Sequence, residues 1–573
     1  MRLPLRKRSL AALLMAIAAM VAVGALAGTG FASGSKSAAK DTLIVLQDDV
    51  AVALDLDGAN AAQPQLQEIL INTMSPLLNY PNKANGAILE PQYKVTTQGF
   101  RPQLATSWSK SGLTWTFKLR QGVKSCAGNE FTADDVVYSF ARGKSVSGAA
   151  PIGWFLANVA SIFSLEPLTS KDPKAKELTE VVKVDDYTVQ ITQRNANELF
   201  PRVAEIFGLA PFDSKVMKAN ATAKDPWSHN FTATKDAPGY GPYCLTKWIK
   251  GSEVRLTANP GYYMPKPQFT NIIIRKVPSS SNRVASIKSG SADIATNLTP
   301  LEYADVAKSP NAKALSWSNN SGLALGVNFA FDPWKLPTGK LIRQAVAYAV
   351  PYADIIKNDY LGEAKPWTGM CPSNYYGYKP ITMYKYDLAK AKALLAKAGF
   401  PGGKGLEKYA DGFSVYYTAE RRSLLEPIVN RIATSLAQIG ITLTQKPISL
   451  AEFADRTLTK YDTPMFVRDQ DRPLGSDVGY CSLLFYVSKA KGGLNSQSQF
   501  NNAAFDAMYA KTTTTAGPAR LALLRKMQDL MMDELPVIPI AEVNSRLAVR
   551  KGITGWSGET YDILNYRYFT STD

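Results

Sequence analysis

The chain is poor in the side chains that most enzymes and metal sites depend on. Among 573 residues there is one histidine, His229, in the segment Asp225-Pro-Trp-Ser-His-Asn230. Imidazole metal clusters need at least two such rings, and a Ser-His-Asp triad would have to rest on this one residue. The pattern reads it as a surface loop side chain. No G-x-S-x-G or H-E-x-x-H motif occurs, so a secreted hydrolase, the distant alternative, is left without an evident nucleophile, base and orienter. The four cysteines, Cys126, Cys244, Cys371 and Cys481, form no C-x-x-C pair, which argues against zinc and thioredoxin chemistry. None lies in the first 125 residues, which rules out the acylated cysteine of an exported lipoprotein. After residue 8 no Lys/Arg block exceeds a dipeptide, and after about Ser33 no long apolar run occurs. A second membrane span is therefore not expected. No catalytic residue, metal ligand or cofactor is expected either.

What is present begins with an export signal. Arg2, Arg6, Lys7 and Arg8 precede a small-apolar run from Leu10 to Ala27, and A-x-A-like points follow at Ala27 and Ala32. This is the three-part layout of a cleavable signal peptide over residues 1–32, with retention as an anchor as the alternative. A Gly/Ser/Lys/Ala tether over 33–40 follows. The whole chain carries +17, and removal of the four basic residues of the signal leaves +13. That excess is dispersed and reads as a solvated basic surface rather than a nucleic-acid site. With four cysteines in an oxidising compartment, disulfides are expected, and three connectivities are open.

The remaining length calls for two or three compact units. Strand signals fall at Asp41 to Gln47, Leu113 to Leu119, Tyr187 to Thr192, Val254 to Thr257, Ile272 to Val277, Leu323 to Phe329, Phe413 to Tyr417 and Ile441 to Ile448. Several alternate with period two, as half-buried strands do. Helical patterns cover 62–80, 341–357 with a break at Pro351, 388–398 before Gly399, 424–439 before Gly440, and 518–532. Thr132 with Asp135 three residues on marks a further helix start. Strands alternating with helices of this length imply an α/β fold with mixed sheets flanked by helices.

Three blocks sharpen this. They are Leu104-Ala-Thr-Ser-Trp108, Leu113-Thr-Trp-Thr-Phe-Lys-Leu-Arg-Gln-Gly-Val123 and Phe131-Thr-Ala-Asp-Asp-Val-Val-Tyr-Ser-Phe140. Further along come Gly239-Tyr-Gly-Pro-Tyr243, Asn259-Pro-Gly-Tyr-Tyr263, Ser289-Gly-Ser-Ala-Asp-Ile294 and Arg343-Gln-Ala-Val-Ala-Tyr-Ala349. In this order they resemble the extracytoplasmic solute-binding proteins of peptide-, dipeptide- and nickel-type ABC importers, over nearly all of the chain beyond the signal.

The resemblance implies a two-lobed periplasmic-binding-protein fold of type II, in its large form with an extra subdomain. Lobe I would comprise 41–310 with 540–573, including an inserted subdomain at about 81–238, and lobe II 311–539. Within that division the pairings Cys126–Cys244 and Cys371–Cys481 leave hinge closure unimpeded. The implied function is a non-enzymatic, monomeric periplasmic receptor. It captures an oligopeptide-like solute between the lobes and passes it to ABC importer permease subunits. A non-peptide solute on the same scaffold, such as an oligosaccharide, an opine or a metal chelate, is the alternative. Peptide-binding relatives use an acidic residue in a lobe II loop for the ligand ammonium. The matching stretch here is Arg468-Asp-Gln-Asp-Arg-Pro473, with Asp471 at the ammonium position. Arg468 and Arg472 either neutralise it or bind a ligand carboxylate, and a salt-bridged surface loop is the third reading. Arg421 and Arg422 open a helix where a carboxylate could sit. Asn328 is a candidate polar contact, and Trp334, Trp367, Tyr375 and Tyr376 are candidate cleft walls.

Overall fold

The computed structural model describes residues 41–572 apart from 59–62, 87, 97, 146–150, 165–176, 204–209, 236–237, 382–383, 472–474, 494–496 and 558–562. The export signal and tether lie outside the described residues. Two strands, Ala312–Val327 and Val537–Arg550, organise the rest. They pair antiparallel along most of their length, and their register shifts between Trp317 and Ser321, opposite Val543 to Ser545. On one side the sheet continues from Val537–Arg550 through Ile294–Ala295, Thr42–Gln47, Asn271–Lys276, Glu253–Ala258 and Tyr243–Ile249. On the other it runs from Ala312–Val327 through Met465–Asp471 and Ser414–Thr418 to Thr444–Ile448. Ala364–Pro366 pairs onto Val537–Arg550, completing an 11-stranded mixed sheet.

Each half of this sheet has its own apolar core. Leu43, Val45, Ile272, Ile274, Val549 and Trp556 anchor the first. Leu323, Leu325, Val415, Tyr417, Ile432 and Ile538 anchor the second. A separate four-stranded antiparallel sheet is built from Ala105–Ser111, Thr114–Leu119, Thr188–Thr192 and Val181–Asp185. Trp115, Phe117 and Leu119 point inward from it as the alternation requires. Its core also takes in Trp367, Cys371, Tyr375, Tyr480 and Cys481 from the far half of the chain. Both cysteine pairs are bonded as the resemblance implied, Cys126 to Cys244 and Cys371 to Cys481.

Local signals shaped many elements as expected. Thr132 N–H donates to the Asp135 carboxylate at 2.7 Å at the start of the helix Ala133–Ser145. Gly399 and Gly440 end their helices at φ +93° and +85°, where a side chain would be strained. Three expectations need correction. The helix expected over 62–80 is confined to Pro64–Thr73, and Leu78–Asn79 is a short strand. The strand expected from Leu323 is the end of a longer one that starts at Ala312. The acidic loop around 468–471 belongs to a strand, Met465–Asp471, set between two neighbours. No helix among the described residues is long and apolar enough to cross a membrane.

Candidate functional site

A cavity of about 190 Å³ opens where the two halves of the sheet meet. One wall is Asp48, just past Thr42–Gln47, with the turn Thr296 to Thr299 just past Ile294–Ala295. Those two strands run parallel. The opposite wall is Asp469 near the end of Met465–Asp471 with Glu420, Arg421, Ser423 and Leu424 just past Ser414–Thr418, a second parallel pair. Ligand crevices form outside the carboxyl ends of parallel strands because the chain must leave the sheet there, exposing loops and helix starts. Here two such ends face each other. Trp317, Ser321 and the stretch Val543 to Leu547 of the two long strands line the cavity between them.

The lining is charged in both signs. Arg421 ends the turn Ala419–Arg421 and forms an ion pair with Asp469. Glu420 accepts the Leu450 N–H at 3.0 Å on each oxygen, at the start of the helix Leu450–Ala454, an end that favours negative charge. Asp48 accepts the Asn297 side-chain amide at 2.8 Å, and Asn297 sits at φ +54°. Arg546 lies with its guanidinium 5.0 Å from the Tyr303 ring centre, and the Tyr303 hydroxyl donates to its carbonyl at 2.8 Å. Burial pushes the Arg546 pKa below the ordinary arginine value.

Of the residues singled out in the sequence, Arg421 is in this lining. Arg468 is buried, its guanidinium 3.8 Å from the Phe485 ring centre and 5.9 Å from that of Tyr486. Asn328 is also buried; its amide donates to the Tyr461 carbonyl at 2.9 Å and its oxygen accepts Ala330 N–H. Trp367 donates to the Cys371 carbonyl at 3.0 Å and stacks so close to Gly322 that a Cβ there would lie 2.2 Å from its ring. None of these three is among the cavity residues. The Asp471 side chain and all of Arg472 lie outside the described residues. Sequence reasoning passed over Asp48, Tyr303, Asp469 and Arg546. Asp469 carried a signal, since Phe466-Val-Arg-Asp469 keeps an aromatic three residues before the acid.

His229 is not a bare loop side chain. It starts the helix His229–Thr234, and its Nδ1 is 2.8 Å from Asp55 and 3.0 Å from Arg142. Arg142 also bonds Asp57 at 2.6 Å. Burial outweighs Arg142 at Asp57, whose pKa is pushed up to about 6. Asp55 is desolvated too, but its bonds to His229 and Arg142 bring it below the ordinary value. This cluster is remote in composition from the cavity and ties helices together. Among the described residues no group of three or more His, Cys, Asp or Glu could hold a metal ion.

The model of bacterial extracellular solute-binding proteins, family 5 Middle, matches residues 99–491. The dipeptide-binding protein of Escherichia coli (strain K12) is 27% identical over 476 residues, covering 81% of this chain and 85% of that protein. Heme-binding protein A of Haemophilus influenzae is 26% identical over 462 residues, covering 78% and 80%. Among solved structures, the periplasmic binding protein DppA from Helicobacter pylori, in complex with the peptide STSA, superposes with a TM-score of 0.75. That match has 22% identity and covers 93% of this chain and 99% of that one. It establishes the two-lobed fold.

Proposed function

Because the chain belongs to the bacterial extracellular solute-binding proteins of family 5, we propose that it is the periplasmic receptor of an ABC importer and captures a small peptide. The observation that carries this reading is the cavity at the crossing of the two halves, lined by both carboxylates and guanidiniums. A zwitterionic solute needs both, each desolvated enough for its charge-assisted bonds to count. The crossing strands Ala312–Val327 and Val537–Arg550 serve as the hinge, with the register shift near Trp317 and Val543 as the bending point. Lobe I then holds 41–310 and 540–573 with the inserted subdomain, and lobe II holds 311–539. The export signal delivers the protein, unanchored and monomeric, to the periplasm, and the closed lobes present the solute to the permease.

Asp469 takes the ammonium role in this reading, two positions before the residue expected from the loop pattern. A carboxylate paired to one guanidinium still has lone pairs for a second donor. A non-peptide solute is the second reading, favoured by the likeness to a heme-binding protein. Against a solute that large stands the cavity volume of about 190 Å³, below the roughly 300–1,000 Å³ of drug-sized ligand sites. A thermal-shift screen with di-, tri- and longer peptides tests the proposal, with native mass spectrometry to identify any co-purified solute. Saturation at about a hundred times Kd stabilises the folded state by about 2.7 kcal/mol, enough to move the melting temperature by a few degrees. A protein that no peptide stabilises, but that a non-peptide solute does, would not be a peptide receptor.

A further inference from the structure

The charges around the cavity are unevenly satisfied. Three carboxylates and two guanidiniums line it: Asp48, Glu420, Asp469, Arg421 and Arg546. Asp469 and Arg421 are paired with each other, and Glu420 is held by the Leu450 N–H. Arg546 forms no ion pair within 4 Å among the described residues: the Tyr303 ring lies against its guanidinium, the Tyr303 hydroxyl bonds its main-chain carbonyl, and Glu363 acts on its charge only from beyond ion-pair distance. A partly desolvated guanidinium without a directly paired anion is costly, and Glu363 offsets that cost only from a distance; an anionic group entering the same cavity lowers it further. Arg546 also has a distinctive place in the fold. It stands opposite Ser316 on the long strand Val537–Arg550, one residue from the Trp317–Ser545 pair where the register slips.

We infer that Arg546 is the subsite for the carboxylate of a small zwitterionic solute, set on the hinge strand where it enters lobe I. The inference rests on the receptor reading above and deepens it. The fork of a guanidinium matches a carboxylate with two parallel hydrogen bonds, and Tyr303 limits the directions from which the anion can approach. The solute's ammonium then lies toward Asp48 and Asp469, which face each other across the cavity from opposite walls. A compound with the amine alone would leave Arg546 unpaired. A compound with the carboxylate alone would forfeit the acidic walls. The chemical class selected is therefore a compact amino acid derivative carrying both groups, with a dipeptide as the simplest example.

The test is calorimetric titration of the purified protein with dialanine, trialanine, their C-terminal amides and a carboxylated non-peptide amine of the opine type. Wild type is expected to bind the acids at least about 30-fold more tightly than the amides, the effect of leaving one partner of a buried charge pair alone. R546Q should bring acid and amide within about threefold of each other, with the unliganded melting temperature unchanged. R546K keeps the charge without the fork and should fall between. Should R546Q not fold, R546K decides: a ratio reduced by about tenfold or more, one good hydrogen-bond difference, supports the subsite, and a retained ratio overturns it. Equal binding of acid and amide by wild type, or a ratio that survives R546Q, overturns the inference and leaves the peptide receptor standing. If peptides fail but the opine-type amine binds in an Arg546-dependent way, the peptide reading falls and the subsite remains. If nothing bearing a carboxylate binds, both fall.

Discussion

Arg520 holds Asp477 with both terminal nitrogens, Nη1 to Oδ2 at 2.9 Å and Nη2 to Oδ1 at 2.8 Å, around a carboxylate with no solvent exposure. Arg202 adds its Nε at 3.0 Å from Oδ2. The three residues lie on or beside the helices Phe200–Val203, Val478–Phe485 and Gly517–Glu534, so one buried anion ties together parts of the chain far apart in sequence. Burial alone would raise the Asp477 pKa, but Arg520 and Arg202 bring it below the ordinary value. D477N leaves two buried guanidiniums without their anion and should cost about 3–5 kcal/mol in urea unfolding. The depressed pKa means this stabilisation is complete above about pH 4 and fades as pH falls through the folded-state value. A D477N protein within about 1 kcal/mol of wild type would show that the grip is not structural.

Glu68 behaves in the opposite sense. Burial pushes its pKa up to about 7, despite hydrogen bonds from the Tyr566 hydroxyl and from the Gln47 amide at 2.6 Å. Between its ordinary 4.5 and about 7 the folded chain keeps a proton that the unfolded chain has released. Stability therefore falls as pH rises through that window and levels off above it, by about 3 kcal/mol in all. Asp57, held up to about 6, adds a change of the same sign. The difference between wild type and E68Q isolates Glu68. Urea midpoints at pH 5 and pH 8 should separate more for wild type, and equal separations would rule out the assignment.

The bonds Cys126–Cys244 and Cys371–Cys481 span 118 and 110 residues. Loops of that length are worth about 5 kcal/mol each when the main effect is on the unfolded chain. Replacing either pair with serine should lower the melting temperature strongly, and non-reducing peptide maps should show only these two links. A map joining Cys126 to Cys371 or Cys481 would be incompatible with the fold.

D469N tests the ammonium end of the cavity. It should weaken binding of free-amine peptides by roughly 30-fold or more, while N-acetylated peptides, which have no ammonium to lose, change little. Equal losses for both would point instead to the Asp469–Arg421 pair as a support for the cavity wall.

Some glycines explain why the family motifs are scaffold. A Cβ at Gly241 would lie 2.3 Å from the Thr73 backbone, and one at Gly239 would lie 2.2 Å from the Met74 sulfur. The Gly239-Tyr-Gly-Pro-Tyr243 block is thus a close-packing device against the C-terminal end of the helix Pro64–Thr73.

What the sequence determined by itself is local or compositional. The alternation of Trp115, Phe117 and Leu119 predicts a strand, Thr132 with Asp135 opens a helix, and Gly399 and Gly440 close two more, because each signal acts within one turn or one strand pair. The family resemblance implied a loop at Arg468 to Asp471, and four polar residues in a row offered no strand pattern against it. Only the tertiary structure decided otherwise: Ala312–Val327 pairs with that stretch at Arg468 and Asp471, extending a strand that Ser414–Thr418 flanks at Met465 and Phe466. Pairing in space overrides local propensity. The cavity was still less legible. Asp48, Asn297, Arg421, Asp469 and Arg546 are far apart along the chain, and what brings them together is the placing of two parallel strand ends against each other across a pair of long crossing strands. No period or motif encodes that distance. It is set by sheet order and register, which arise only when the whole chain is folded.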